Sequence, residues 1–90
     1  MNLNATTNEG NTPLLSAIKA GRTKVAVLLI RKMSTEQINK QNGKGENALF
    51  CCVQKENEIV LEHIIKSGGN VNVQNHVGTT PLMMALMRNN

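Results

Sequence analysis

Aromatic side chains are almost missing from this chain. Phe50 stands alone, and 90 residues hold no tyrosine or tryptophan. Stacking on bases or sugars needs several rings, so nucleic-acid recognition of that kind is not expected. No apolar run approaches the ~20 residues that span a bilayer. The opening stretch "MNLNATTNEGN" has neither the basic nor the apolar block of an export signal. Cysteine is scarce too. Cys51 and Cys52 are neighbours, so they cannot staple distant segments, and no further ligands stand near enough to complete a zinc site. Two small, buried, reduced thiols are the expectation, which suits a reducing compartment. These absences together lead one to expect an intracellular, most simply cytoplasmic, protein with no membrane segment.

Charge is modest. Ten Lys and Arg face six Asp and Glu for a net +4, and the basic residues are scattered rather than clustered. Such a balance favours acidic partners weakly. Catalytic constellations are missing as well. Cys51 and Cys52 fall in an apolar helical stretch, which raises a thiol pKa instead of activating it. His63 falls in a helix and reads as a packing residue. His76 falls at a loop tip, and neither histidine has a carboxylate or thiol at ligand spacing. "NGKGEN" lacks the spacing of a phosphate loop and reads as a loop tip. No pair of carboxylates is set for acid–base work. No enzyme, cofactor or metal is expected.

What the chain does contain is a repeat. Gly10, Gly45 and Gly78 are 35 and 33 residues apart. Around them stand "EGNTPLLSAI", "KGENALFCCV" and "VGTTPLMMAL", in which Leu14, Leu49 and Leu82 share a phase, as do Ala17, Cys52 and Ala85. Asn4, Asn39 and Asn72 precede the glycines at a constant distance, each after an aliphatic residue. Period is the signature of a repeat architecture, in which stacked units bury a continuous core. One unit can be read physically. Thr12, Asn47 and Thr80 are helix caps, and Pro13 and Pro81 suit the first helical position. The first helices run to about Ala20, Lys55 and Arg88. Gly21 ends the first of them, whereas the middle unit must turn at Glu56 without a glycine. Second helices follow, with apolar Val25, Leu28 and Leu29, and Val60, Ile64 and Ile65, at helical spacing. Gly68 and Gly69 supply a left-handed stop. "KMSTEQIN" is longer than its counterpart, and Ser34 with Gln37 has the form of a capping box, so an extra helical turn is expected near residues 34–38.

This pattern resembles the ankyrin repeat, through "GNTPLLSAIKAG", "GTTPLMMAL" and "GGNVNVQNHVG". The resemblance covers essentially the whole chain. It implies an all-α fold: an ankyrin-type helix-pair solenoid with projecting hairpin-like loops, forming a single domain over residues 1–90. Units would cover about 7–41 and 42–74, with an incomplete third at 75–90. The chain departs from the family in three respects, the first being that "KMSTEQIN" replaces the Gly-Ala turn of the first unit. Leu15, Phe50 and Met83 stand where the family usually has a histidine. Thr7, Asn42 and Asn75 stand where it has the aspartate that opens the turn, and asparagine keeps the turn-forming bonds without the charge.

Family members bind other proteins without catalysis, so the resemblance implies a protein–protein interaction module. Transferred position by position, its contact surface comprises Asn8, Glu9, Asn11, Lys19 and Ala20, then Gly43, Lys44, Glu46, Gln54 and Lys55. The third unit adds His76, Val77, Thr79, Met87 and Arg88. The alternative is an assembly element that self-associates or stacks through exposed apolar repeat ends. The last helix sharpens that alternative. Leu82, Met84, Ala85 and Leu86 are expected to pack back on Leu49, Cys52 and the Ile64–Ile65 helix. The flank left over is then covered by the continuation of a longer chain, by a partner or by a second copy.

Overall fold

A computed structural model describes residues 6–88, with the side chain of Arg88 outside that set. Leu3 and Asn4, part of the repeat phase, also lie outside the described residues. Within them the chain forms six helices and no strand. These are α1 (Pro13–Lys19), α2 (Thr23–Lys32), α3 (Thr35–Ile38), α4 (Ala48–Lys55), α5 (Glu58–Lys66) and α6 (Pro81–Arg88).

The helix starts follow the cap residues. Thr12 Oγ1 accepts the Leu15 N–H at 3.2 Å, Asn47 Oδ1 accepts that of Phe50 at 2.9 Å, and Thr80 Oγ1 accepts that of Met83 at 3.2 Å. Each cap is worth about 1 kcal/mol. The ends follow the sequence with one cost. After α1 the chain reverses at Gly21, whose φ is 74°, and after α4 it makes the same reversal at Glu56 with φ 57°. A side chain in the left-handed region costs about 1–2 kcal/mol, which the middle helix pair tolerates. The extra turn is α3. Ser34 Oγ accepts from Gln37 N–H at 3.2 Å while Gln37 Oε1 accepts from Ser34 N–H at 2.8 Å, a reciprocal capping box. The turn at residues 67–70 docks on α3 through Thr35 Oγ1 to Ser67 O at 3.3 Å and Asn39 Nδ2 to Gly68 O at 3.2 Å.

Helices α1, α4 and α6 stand side by side as one layer, and α2 and α5 pack behind α1 and α4 and against each other as a second. This is the stacked helix-pair solenoid expected from the repeat. Between the layers Leu14, Leu15, Ile18, Cys51, Cys52, Val60 and Ile64 are buried essentially completely, as is Phe50. Burial of each large aliphatic side chain contributes roughly 1.5–3 kcal/mol.

Several packing expectations need correction. Ile65 is exposed, because it lies about one hundred degrees around α5 from the buried Val60–Ile64 stripe. In α2 the buried stripe is Ala26, Leu29 and Ile30, while Val25 and Leu28 are exposed. Gly68 takes the left-handed turn at φ 87°, but Gly69 does not; there a Cβ would run into the Ile64 side chain. Among the described side chains of α6 only Pro81 is buried, Met84 and Ala85 are half-buried, and Leu82 and Leu86 are 68% and 64% exposed. Leu14 and Leu49, the counterparts of Leu82, are buried in the pairs α1–α2 and α4–α5. Helix α6 packs on α4 and leaves its Leu82–Leu86 stripe to solvent.

Candidate functional site

Three turns project beside the starts of α1, α4 and α6, and all three are built in one way. In the middle one, Asn42 N–H donates to Glu46 O at 2.9 Å and Gly45 N–H donates to Asn42 O at 2.9 Å. The Asn42 side-chain oxygen accepts from Lys44 N–H at 2.9 Å and Glu46 N–H at 3.0 Å. Asn75 makes the same four bonds to Thr79, Gly78 and Val77. Thr7 makes them to Asn11, Gly10 and Glu9 through its hydroxyl, at 3.3 and 3.2 Å for the two side-chain bonds. Threonine, asparagine and asparagine thus do one job, as short side chains whose oxygen reaches the backbone two and four residues on.

The turns also form a ladder. Gly43 N–H donates to Glu9 O and His76 N–H donates to Lys44 O, both at 2.9 Å, and both in the same register relative to their glycines. This close approach requires glycine. Gly45 has φ 82°, and a Cβ on it would lie 2.9 Å from His76 N. At Gly10, with φ 83°, a Cβ would lie 2.9 Å from Gly43 N. The ladder therefore aligns the tips into one row.

Behind the row lies a polar network. Because the Asn42 oxygen is committed to two backbone N–H groups, its amide nitrogen faces inward. It donates to Asn11 Oδ1 at 2.8 Å and to Glu46 Oε1 at 3.0 Å. Lys19 Nζ, reaching over from α1, meets the same Glu46 oxygen at 3.3 Å. Asn11, Asn42 and Glu46 are all buried, and among the described residues no fully buried side-chain polar atom is left without a partner. On the tip side, Asn8, Glu9, Lys19, Gly43 and Lys44 border this network around a notch of about 220 Å³.

The residues transferred from the repeat pattern divide accordingly. Asn8, Glu9, Lys44, His76 and Val77 are exposed along the row, with Val77 at 87% the most open large apolar side chain. Ala20, Lys55 and Met87 are exposed on the front layer, where Gln54 is half-buried. Thr79 is half-buried in its turn. Asn11 and Glu46 face inward and shape the tips from behind, and Lys19 is held by Glu46. The side chain of Arg88 lies outside the described residues. Sequence reasoning placed Asn42 in the turn but missed its amide as the hub of the network. The available signal was an asparagine, which can donate, in a turn position otherwise held by an acid.

The two thiols lie in the core behind this surface. Burial pushes Cys51 up to about 11 and Cys52 up to about 12, so neither is a nucleophile near neutral pH. Among the described residues no group of three or more His, Cys, Asp or Glu side chains could hold a metal ion. No helix among them is long and apolar enough to cross a membrane.

Comparison with known proteins points one way. The family profile described as ankyrin repeats (3 copies) matches residues 1–65. The chain is 35% identical over 75 residues to alpha-latrotoxin-Lg1a of Latrodectus geometricus, covering 82% of this chain and 6% of that protein. It is 38% identical over 53 residues to ankyrin repeat domain-containing protein 31 of Homo sapiens, covering 59% of this chain and 3% of that protein. The chain thus spans a small fraction of the length of either relative.

Proposed function

The chain belongs to the ankyrin repeat family, whose members are generally protein–protein interaction modules, and on that premise we propose that it binds a partner protein through its row of loop tips and its front helix layer. The observation that carries this reading is the ladder of three identically built turns, bonded tip to tip. A surface already rigid when free loses little conformational entropy on binding. Asn8, Glu9, Lys44, His76 and Val77 supply the tips, and Lys55 and Met87 extend the contact along α4 and α6. Asn11, Glu46 and Lys19 hold that surface in place from behind. We assign the repeat units to about 7–41, 42–74 and 75–90, each opening at Thr7, Asn42 or Asn75. The role involves no catalysis and no cofactor, and the two free, buried thiols fit a reducing, intracellular compartment.

The test is affinity capture with the wild-type chain beside a K44E/H76E/V77D variant. These tips are exposed, so helicity by circular dichroism should be unchanged while the partner set of the wild type is lost. Equal capture by both chains would refute the tip surface.

A second reading is favoured by α6, whose Leu82, Met83, Leu86 and Met87 are all exposed. Contiguous apolar surface of this kind marks an interaction site, and self-association through it would make the chain an assembly element. Light scattering across a concentration series separates the two, since a monomer throughout rejects assembly.

A further inference from the structure

On the other side of the molecule, a groove of about 620 Å³ runs between α2 and α5. Its walls are Thr23, Val27, Leu28 and Ile59, and its charged or ionisable rim is Lys24, Arg31 and His63. Among the described residues no carboxylate lines it. Of the two glutamates within α5, Glu58 faces a different pocket and Glu62 pairs with Lys66 at 3.3 Å. Leu28 and Ile59 are 55% and 62% exposed although both sit on well-formed helices. A helix pair that needed only solubility would place polar residues at these positions. The spacing explains the shape. Lys24, Val27, Leu28 and Arg31 fall on one stripe of α2, and Ile59 and His63 fall one turn apart on α5. The result is an apolar floor between basic side chains at either end of the α2 stripe.

We infer that this groove is a second docking site, for an acidic amphipathic segment of a partner protein whose apolar side chains enter between Leu28 and Ile59 while its carboxylates meet Lys24 and Arg31. Charge complementarity selects the occupant. A second copy of this chain is a poor fit, because groove against groove sets like charges together, and α6 offers apolar residues with no acid among them. A lipid surface is also disfavoured. Stable electrostatic attachment to anionic membranes takes clusters of about 4–8 Lys or Arg, and a groove accepts inserted side chains better than it meets a flat headgroup layer.

The experiment uses short synthetic peptides with leucines at helical spacing and Asp and Glu between them, titrated into the isotope-labelled chain. A matched set with Lys in place of the acids and vesicles containing phosphatidylserine form the other arms. The acidic peptides should shift the amide resonances of Leu28, Arg31, Ile59 and His63, and raised salt should weaken them. A K24E/R31E variant should bind them about tenfold more weakly, as expected for two exposed charge pairs turned repulsive. L28S/I59S should also lose binding, and V77D should not. A milder K24Q/R31Q chain gives the same direction should the charge reversal lower helicity. Shifts confined to the loop tips, equal binding of acidic and basic peptides, or binding of vesicles alone would each overturn the inference.

Discussion

The asparagine at position 42 makes the sharpest test of how the loop row is held together. Replacing it with aspartate changes one atom group and leaves the shape. The turn itself survives, since a carboxylate oxygen accepts the Lys44 and Glu46 N–H groups as well as an amide oxygen does. What changes is the inward side, where the amide nitrogen now donates to Glu46 Oε1 at 3.0 Å and Asn11 Oδ1 at 2.8 Å. In N42D two carboxylates meet there. At an effective dielectric near 20, unit charges at the 3.0 Å of that contact repel by about 5.5 kcal/mol. Lys19, at 3.3 Å and partly solvated, offsets a share of this, which leaves a net loss of about 2–4 kcal/mol. Small domains are stable by only about 5–15 kcal/mol. With a urea slope of ~1–1.5 kcal/mol/M, the unfolding midpoint should fall by about 2 M with the slope unchanged. Adding E46Q should restore most of the loss, because a glutamine amide can donate to the carboxylate introduced by N42D. The double-mutant cycle should then give a coupling of at least ~1.5 kcal/mol. A midpoint within ~0.3 M of wild type, or a deficit indifferent to E46Q, refutes the network as described.

Two more substitution and pH effects can be measured on the same protein. Gly45→Ala should cost about 2 kcal/mol or more, since it combines φ 82° with a Cβ 2.9 Å from His76 N. Gly78→Ala, at φ 90° but with open space around it, should cost less. Amide exchange at His76 should accelerate in the first variant and hold in the second. For the thiols, alkylation of folded protein should be slow at neutral pH and appear only across the denaturant transition. Their folded values, about 11 for Cys51 and about 12 for Cys52, lie above the ordinary 9.0, so the unfolded chain ionises first as pH rises. Stability is unaffected by them below pH 9.0 and should decline from there towards their folded values. A Cys51→Ala/Cys52→Ala chain that loses stability with the same slope above that point would count against the thiols as the cause.

How much was legible in the sequence depends on the range of the interaction. Caps at Thr12, Asn47 and Thr80, the Ser34–Gln37 box and the turns opening at Thr7, Asn42 and Asn75 all rest on bonds between residues at most four apart, and local chemistry is written in local sequence. The two-layer stack followed from period, because a unit with an apolar helix on each side must bury it on its neighbours. The second helices were less legible. Val25, Leu28 and Ile65 are apolar at helical spacing, yet each is exposed, because periodicity shows that a face exists and not whether anything lies against it.

By itself, then, the sequence determined the helix pairs, their order and the form of each loop tip, since these depend on cap geometry and on a repeat that copies one solution along the chain. Tertiary structure alone decided which polar side chains face inward. Asn11 and Glu46 look like surface residues beside a turn, and only the stacking of one turn on the next, 2.9 Å apart through Gly43 and Glu9, closes them in. It also decided that Leu28 and Ile59, 31 residues apart in the chain, share one groove. Contacts between units depend on how two faces meet in space, and no single unit carries that information.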